Sequence, residues 1–422
     1  MSDYEASGKH FYTRRITILF LLIFVPKFQT EIMRLINPLL IVRIMSTILL
    51  IESIAFLCCI PVALIYKEPL APFLWSSSIA VALYGLLRFA SLKADTDKIS
   101  NRDGYLAVTI SWLTFTALGA LPYIISGTIP SFINAFFEST SGFTTTGASI
   151  LTDVEVLPYS ILFWRSFTHW IGGLGIIVLV IIILPSLKIT GYQLFSLESS
   201  LKEKIHSKIQ GVAIRMGIIY LGLTLAETIF LFLGDMTLFD SLCHAFGTVA
   251  TGGFSTKNNS LQFYSSYSQY VVMIFMFLAG TSMLVYYYLA KFNFRKIIHN
   301  EELWFYITIA FIAGSIATLI LLPSSTTFEQ AFRDGFFQII SIMTCTGFAS
   351  VDFLFWPAAG LLLIFLMMFS GGSTGSTSGG IKMARHLIVI KNIKRVIIKL
   401  NHPKALATIK LNGKIVSEST NN

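Results

Sequence analysis

The chain of 422 residues is 54% hydrophobic and only 13% charged, with a mean hydropathy of +0.72 and a formal net charge of +9. This composition excludes an ordinary soluble domain, because too few polar residues remain to cover a surface in water. It predicts a chain whose main solvent is lipid.

The first 37 residues form an N-terminal extension ahead of the first full-length apolar segment. Arg14 and Arg15 precede an apolar run at 16–25, which is signal-like but too short to cross a bilayer and has no small-residue cleavage site after it. Met33 lies just before the first full segment. We therefore interpret 1–37 as a mis-assigned start or a loose amphipathic extension rather than a signal peptide.

Eight apolar segments follow, each with at least the roughly 20 residues that a bilayer core requires. They lie at about 38–66, 70–92, 105–126, 157–186, 211–234, 269–290, 302–322 and 357–400. A Gly/Ser/Thr run at 371–380 interrupts the last one.

Basic residues alternate between loops. They are frequent at 93–103, 187–210, 291–302 and 382–410. By contrast, 127–156 has no Lys or Arg, while 235–268 has only Lys257 and 323–356 only Arg333. The positive-inside rule places the basic loops and the N-terminus in the cytoplasm and the three segments with few Lys and Arg residues outside. The net charge then requires neither nucleic acid nor an anionic substrate as partner.

The four cysteines show no CxxC spacing and no histidine partners, so the sequence predicts neither a disulfide framework nor a metal site. They are Cys58, Cys59, Cys243 and Cys345.

Each of the three outer segments contains an amphipathic stretch followed by Thr-Gly. Aligned on this pair, the glycines are Gly147, Gly252 and Gly347, separated by 105 and 95 residues. A glycine that ends a helix would explain each one singly, but not its placement between two spans in all three segments. The pattern indicates a repeat of about 100 residues: span, half-buried helix, Thr-Gly loop, span.

Such loops have the chemistry of an ion filter. Irregular backbone inside a membrane is tolerated where it lines a watery path, and carbonyls with Thr hydroxyls replace the water around a cation. Glycine lets the carbonyls turn, and the C-terminal end of the preceding helix favours positive charge. Without a ring of carboxylates, the filter suits a monovalent ion rather than calcium. The candidate filter residues are Thr144, Thr145, Thr146, Gly147, Val249, Ala250, Thr251, Gly252, Thr344, Cys345, Thr346 and Gly347.

Together with WRSFTHWIGGLG at 164–175 and FSGGSTGSTSGGIK at 369–382, these loops give a resemblance to the Trk/Ktr/HKT superfamily of potassium transporters, from about residue 33 to about 415. The pair of spans before the first repeat resembles the TrkH branch. The resemblance implies an all-α polytopic membrane protein of repeated span–pore helix–filter loop–span units around a pseudo-fourfold pore. It also implies potassium as substrate at the filter, with glycine at Gly147 accompanying potassium preference.

For localisation and partners, the resemblance implies the bacterial inner membrane, a homodimer in contact with lipid, and a TrkA-like cytosolic nucleotide-binding ring. No covalent cofactor is expected, and any nucleotide is expected on the partner subunit.

The Gly/Ser/Thr run cannot be continuous helix and lacks the Gly-Lys-Ser/Thr of a phosphate-binding loop. In the family it corresponds to an intramembrane gating loop, although a passive kink would also explain it. Its residues are Gly371, Gly372, Ser373, Thr374, Gly375, Ser376, Thr377, Ser378, Gly379 and Gly380. Near the filter, we expect Arg165 to brace the loops and His169 to be a packing residue rather than a pH sensor. Glycines at 172–173 and 280 indicate close backbone approach.

The predicted units are an extension at 1–37, an extra pair of spans at 38–92, pore repeats at 93–187, 188–291 and 292–400, and a cytoplasmic tail at 401–422. The family pattern calls for a fourth repeat, which this sequence does not show, so we expect a truncated product.

Four functions remain open from the sequence. The first is gated potassium uptake, and sodium-coupled potassium symport of the Ktr kind is a close variant. A secondary transporter of small solutes would predict inverted repeats, and an intramembrane enzyme would require a catalytic arrangement that the spans do not show. A non-conducting remnant is the last.

Overall fold

The computed structural model describes residues 37–92, 94, 101–187, 209–402, 408–412 and 414–415, without the side chains of 101, 176–187, 209–213 and 414–415. The predicted signal-like run at 16–25, the alternative start at Met33 and most of the basic loop at 187–210 lie outside these residues.

An N-terminal helical pair begins the described chain. Its helices are α1 (Pro38–Leu57), α2 (Ile60–Ile65) and α3 (Ala71–Ala90). Asn37 caps α1 by accepting a hydrogen bond from the N–H of Leu40 at 3.2 Å, and Pro38 occupies the first turn, where its missing N–H costs nothing. The hydroxyls of Ser53 and Ser77 lie 2.8 Å apart and join α1 to α3.

Three groups of helices follow in the same order: a long helix, a short helix, a loop and a second long segment. The first contains α4 (Asn101–Gly119), α5 (Leu121–Ile125), α6 (Phe132–Phe143) and α7 (Tyr159–Leu187). The second contains α8 (Ile209–Phe232), α9 (Leu238–Val249), α10 (Ser266–Ala279), α11 (Met283–Ala290) and α12 (Phe294–Ile298). The third contains α13 (Glu301–Leu321), α14 (Phe328–Met343), a 3-10 turn (Phe353–Phe355), α15 (Ala358–Met367) and α16 (Met383–Asn401).

A small antiparallel hairpin of β1 (Lys410–Leu411) and β2 (Lys414–Ile415) is the only sheet among the described residues. The all-α class predicted from the sequence is therefore confirmed. The arrangement of the units around a pseudo-fourfold axis and their boundaries remain predictions.

Within the described residues, five helices are long and apolar enough to cross a membrane. They are Pro38–Ile65, Ala71–Ala90, Arg102–Ile125, Ile214–Phe232 and Glu301–Leu321. The predicted span at 269–290 is two helices, α10 and α11, bent by 92° at residues 280–282, so the number is six if this pair counts as one. The helix predicted at 157–186 is α7, whose last side chains are not described.

The last predicted span, 357–400, differs from the structure. Only α15 is apolar, and its 10 residues are too few to cross a bilayer alone. The helix after the glycine run, α16, carries five Lys and Arg residues and exposes most of its length. Apolar residues such as Ile393 and Ile397 led to the prediction that α16 belongs to the span, although basic residues are interspersed among them.

The three short helices α6, α9 and α14 form the centre of the packing. Each is amphipathic, and α9 and α14 begin at a threonine cap, where Thr237 accepts from the N–H of Asp240 at 3.1 Å and Thr327 from that of Gln330 at 3.2 Å. Helix α14 packs on α13 and α10, while α9 packs on α8 and α7. Large aromatic side chains in and around these helices are fully buried, among them Phe143, Trp164, Phe254, Phe337 and Phe348. This packing buries most of the second and third loops, whereas Thr144 and Thr146 of the first loop are exposed.

Candidate functional site: three loops after the short helices

Each short helix ends in the same hydrogen-bonded turn. We number the loop positions from the residue that follows each short helix, which gives loops at 144–147, 250–253 and 344–347. The third residue of every loop donates its N–H to the carbonyl five residues before it, at 2.8 to 2.9 Å. The bonds join Thr146 to Ser141, Gly252 to Gly247, and Thr346 to Ser341. The three loops therefore share one local backbone structure, although their sequences differ.

Two positions of each loop have a left-handed φ. At the first, the residues are Thr145, Thr251 and Cys345, with φ of 53°, 53° and 59°. At the second, two residues later, they are Gly147, Gly253 and Gly347, with φ of 77°, 80° and 83°. Glycine adopts such angles without the clash that a Cβ atom brings. The second position therefore explains why a glycine stands in every loop.

This backbone corrects the alignment of the second loop. The prediction matched Gly252 with the other two glycines, but Gly252 takes the place of Thr146 and Thr346, and the matching glycine is Gly253. Val249 is the last residue of α9 rather than a loop residue. The equivalent segment is thus 250–253, one residue later than predicted. The doublet Gly252-Gly253 caused the error, and the pair Gly-Phe, which recurs at 253–254 and 347–348, would have given the right register.

Neighbouring loops touch in a constant order. A Cβ atom on Gly147 would overlap the carbonyl oxygen of Gly252, and one on Gly253 would overlap the carbonyl oxygen of Thr346. Both oxygens belong to the third position of the next loop. Loops one, two and three therefore stand side by side, with the glycines of the first two loops against the same carbonyl of the next loop. A Cβ on Gly347, in the third loop, would meet open space.

Arg165 lies behind the loops and connects two of them. Its Nε donates to Glu138 at 2.7 Å, its Nη1 donates to the carbonyl of Ser255 at 3.1 Å, and its guanidinium carbon lies 3.5 Å from the ring centre of Phe254. The carboxylate of Glu138 is fully buried and also accepts from the hydroxyl of Ser149 at 2.9 Å. The predicted brace thus has a partner, Glu138, that sequence reasoning missed.

Glu138 belongs to a series of buried polar residues, each six positions before the first loop residue. The equivalent residues are His244 in α9 and Gln338 in α14, and both are buried. The Nε2 of His244 lies 2.9 Å from the hydroxyl of Ser255, just as Glu138 contacts Ser149. In both cases a side chain of the short helix holds the segment that follows the loop. An ionisable group in a segment of otherwise apolar composition was the signal that could have found this series.

His169 packs on the second loop, as expected. Its ring stacks on Phe254 with centroids 4.0 Å apart, and its Nδ1 accepts a hydrogen bond from the N–H of Phe254 at 3.4 Å. A Cβ on Gly252 would lie 2.5 Å from that Nδ1. Gly252 is therefore needed for the approach of His169 rather than for its own backbone angles.

Glycines on two long segments allow the short helices to come close. A Cβ on Gly173 would lie 3.0 Å from the Cα of Ala250, and one on Gly280 would lie 2.8 Å from a methyl group of Thr344. Ala250 and Thr344 are equivalent loop positions. Beside them, the hydroxyls of Tyr220 and Tyr306 donate to the carbonyls of Trp170 and Phe277 at 3.1 and 3.0 Å, each three residues before its glycine.

The Gly/Ser/Thr segment 371–380 is an irregular loop, and it lies in the break between α10 and α11. The N–H of Ser373 bonds to the carbonyl of Gly280 at 2.8 Å, and the N–H of Met283 bonds to the carbonyl of Gly375 at 3.1 Å. The hydroxyl of Thr377 donates to the carbonyl of Val249 at 3.0 Å. The segment is therefore attached to the end of α9 as well as to the bent helix.

This segment also touches the third loop. A Cβ on Gly379 would lie 3.7 Å from the Sγ of Cys345, whereas Thr377 reaches the end of the helix that carries the second loop. The loop residues and the Gly/Ser/Thr residues predicted from the sequence are thus brought together in one region.

Comparisons with known proteins identify the family of the chain. A family model described as TrkH, cation transport protein, matches residues 72–421. The chain is 33% identical over 386 residues to the Trk system potassium uptake protein TrkH of Vibrio parahaemolyticus, covering 88% of this chain and 79% of that protein. It is 34% identical over 366 residues to TrkH of Escherichia coli K12, covering 85% and 76%.

The chain belongs to the TrkH family. Its fold matches the crystal structure of the potassium transporter TrkH from Vibrio parahaemolyticus with a TM-score of 0.79 and 31% identity, covering 91% of this chain and 81% of that one. The similarity also extends to TrkG of Escherichia coli K12, with 32% identity over 374 residues, 87% of this chain and 77% of that protein. The TrkH-family chain is thus a multi-pass membrane protein of a transporter family and not an enzyme.

Proposed function

We propose that this TrkH-family protein takes up potassium ions through a filter lined by the carbonyls of the three loops. The observation that carries the proposal is the contact between neighbouring loops, in which the left-handed glycines of loops one and two lie against the third-position carbonyl of the next loop. Such packing fixes the backbone oxygens close together without any carboxylate, which suits a monovalent cation that exchanges its water for carbonyls. The relatives named above as potassium uptake proteins support potassium as the ion.

The charge distribution favours entry of cations from one side. The segments 127–158, 235–268 and 323–356, which contain the loops, carry eight Asp and Glu against two Lys and Arg. The chain as a whole has a net charge of +9, so its basic residues are concentrated elsewhere. Negative potential at a mouth raises the local concentration of cations. In this proposal these segments face outside, and the N-terminus and basic loops face the cytoplasm of a cell whose inner membrane holds the protein.

The filter of this proposal comprises the residues 144–147, 250–253 and 344–347, and Arg165 supports it through Glu138. The segment 371–380 is the gating loop beneath it, because it is attached to the end of α9 and to Cys345. Exposed α16 and the hairpin, which hold basic residues and no acidic ones, are the surface offered to a cytosolic nucleotide-binding regulatory ring. Homodimer formation, with lipid against the exposed apolar side chains, completes the proposal.

Rubidium uptake tests the function. We would express the chain in cells that lack their own potassium uptake systems and measure uptake of the potassium analogue rubidium, with and without external sodium. Saturable uptake above the vector control, with or without sodium, supports the proposal, and dependence on sodium would select the symport variant. Uptake no greater than that of the vector control, from protein shown to be folded in the membrane, would overturn it.

A replacement at the filter makes the test specific. Gly147→Ser adds a Cβ that overlaps the carbonyl of Gly252, so we expect the preference for rubidium over sodium to fall about tenfold, equivalent to about 1.4 kcal/mol. Gly85→Ser in α3 is the matched control, because a Cβ there meets open space. Equal selectivity of the two variants would count against a filter at this loop.

A further inference from the structure

Glu302 is a buried carboxylate that holds the Gly/Ser/Thr loop, and neither the family pattern nor the motifs singled it out. It lies in the first turn of α13 with 2% of its surface exposed. Its Oε1 accepts the N–H of Thr374 at 2.5 Å and the N–H of Ala384 at 3.2 Å. Thr374 belongs to the loop and Ala384 to the first turn of α16, so one oxygen ties the middle of the loop to the segment that follows it.

The charge of Glu302 is what makes this attachment strong. Hydrogen bonds from backbone N–H groups to an ionised oxygen are shorter and about twice as strong as neutral ones. The bonds from Ser373 to Gly280 and from Thr377 to Val249 join neutral groups. The ammonium of Lys382 also donates to the carbonyl of Ser378 in the loop. Among the described residues, Glu302 is the carboxylate that accepts from the backbone of 371–380.

Its neighbour Glu301 points to different partners. The carboxylate of Glu301 pairs with Lys391 of α16, and its N–H donates to the side chain of Asn412 between the two strands of the hairpin at 2.8 Å. Glu301 is the more exposed of the two, at 41% of its side chain. It therefore has the same charge and helix turn as Glu302, but among the described residues its contacts are with α16 and the hairpin rather than with the loop, which makes it a matched control.

We infer that Glu302 is a positioning residue that clamps the gating loop against the third loop and the end of α9. The inference rests on the proposed role of segment 371–380 as a gate. When the carboxylate is lost, the loop keeps its bonds to neutral groups and the bond from Lys382 to Ser378, and it leaves its position beneath the filter more often. Glu302 thereby couples the start of α13, and the α16 segment attached there, to the ion path.

Cys345 supplies a reporter that does not depend on transport. Its Sγ lies beside Gly379 and 4.0 Å from the carbonyl of Ser370, so the loop shields part of this half-buried side chain. Cys59 and Cys243 are buried in other parts of the structure, while Cys58 is exposed. In a Cys58→Ser background, the rate at which a small charged methanethiosulfonate reagent modifies Cys345 measures how often the loop moves away, and a Cys345→Ser variant gives the background rate.

The experiment compares Glu302→Gln with Glu301→Gln in that background. We expect Glu302→Gln to raise the modification rate of Cys345 and the basal rubidium uptake by about fivefold or more, and Glu301→Gln to change the modification rate by less than twofold. Glu302→Asp keeps the charge but is too short to reach both N–H groups, so its modification rate should lie between those of the wild type and Glu302→Gln. This variant also serves if Glu302→Gln does not fold.

Equal modification rates for the wild type and the folded variants at Glu302 would overturn the clamp. The same result for Glu301→Gln and Glu302→Gln would also overturn it, because a general loosening of α13 would then be the cause. If the wild type transports no rubidium while Glu302→Gln still exposes Cys345, the clamp stands and the proposed potassium function fails.

Discussion

Replacing Gly253 with alanine tests the register of the second loop. Its φ of 80° is left-handed, and an L-residue held in the left-handed region costs roughly 1–2 kcal/mol. The new Cβ would also overlap the carbonyl oxygen of Thr346 and lie 3.0 Å from its carbon, both of which are backbone atoms of the neighbouring loop. The two loops would have to move together to relieve this overlap. The backbone strain alone should therefore lower the population of the native loop by at least roughly fivefold to thirtyfold.

The assay is rubidium uptake with sodium as competitor, combined with the amount of folded protein after purification. Gly252→Ala is the comparison, because Gly252 has no left-handed φ and its new Cβ would meet the side chain of His169 instead of backbone. We expect Gly253→Ala to reduce uptake at least fivefold. Adding His169→Ala should rescue uptake in the Gly252→Ala variant but not in the Gly253→Ala variant. Equal damage at the two glycines, or rescue of Gly253→Ala by His169→Ala, would refute the register.

Three further changes follow from the contacts. Arg165→Met leaves the Glu138 carboxylate buried without its partner, which costs about 3–5 kcal/mol, so thermal unfolding in detergent should shift down, and adding Glu138→Gln should recover part of the loss. Thr377→Val removes the 3.0 Å bond to Val249, worth about 0.5–1.5 kcal/mol, and should raise basal rubidium uptake severalfold; unchanged uptake would separate this bond from gating. Partial burial alone would raise the pKa of Asp235, but hydrogen bonds from two serines lower it overall. Its stabilising effect is then present at neutral pH and declines as the pH falls below about 4, so Asp235→Asn should reduce the unfolding temperature more at pH 7 than at pH 3.

The position of the three loops could be predicted from the sequence because two kinds of information agreed. Each loop follows an amphipathic stretch between apolar segments, and each contains Thr-Gly, so the surroundings and the local motif pointed to the same place. The exact register could not be obtained in the second loop, since two consecutive glycines satisfy the same pattern. Backbone angles separate them: Gly253 has a left-handed φ, and Gly252 makes room for His169.

Contacts across the chain were beyond the sequence. Arg165 was expected to brace the loops, but its partner Glu138 is 27 residues away, and the sequence gives no reason to pair them before the helices are packed. The same holds for Glu302, which meets the loop from 72 residues away. Both carboxylates are buried in a chain rich in apolar segments, where an ionisable group is expected to have a partner or a function, but this expectation does not identify the partner.

The last apolar segment was the least predictable part. Its hydrophobic residues suggested a span interrupted by a loop, but helix propensity and hydropathy do not show where the apolar face ends. In the structure α15 is short. Lys391 of α16 forms an ion pair with Glu301, and Ile393 and Ile397 of the same helix are exposed. The five Lys and Arg residues of α16 and its exposure set it apart from the apolar helices that could span a membrane.

Ion selectivity of the purified protein tests the central claim most directly. In liposomes with an imposed membrane potential, negative inside, the uptake of rubidium and of sodium by the wild type and by Gly147→Ser would be compared. The account predicts that the wild type prefers rubidium and that the preference falls about tenfold in Gly147→Ser, while Gly85→Ser behaves as the wild type. A wild type that conducts both ions equally, or a Gly147→Ser variant with unchanged preference, would contradict the assignment of the filter to these loops.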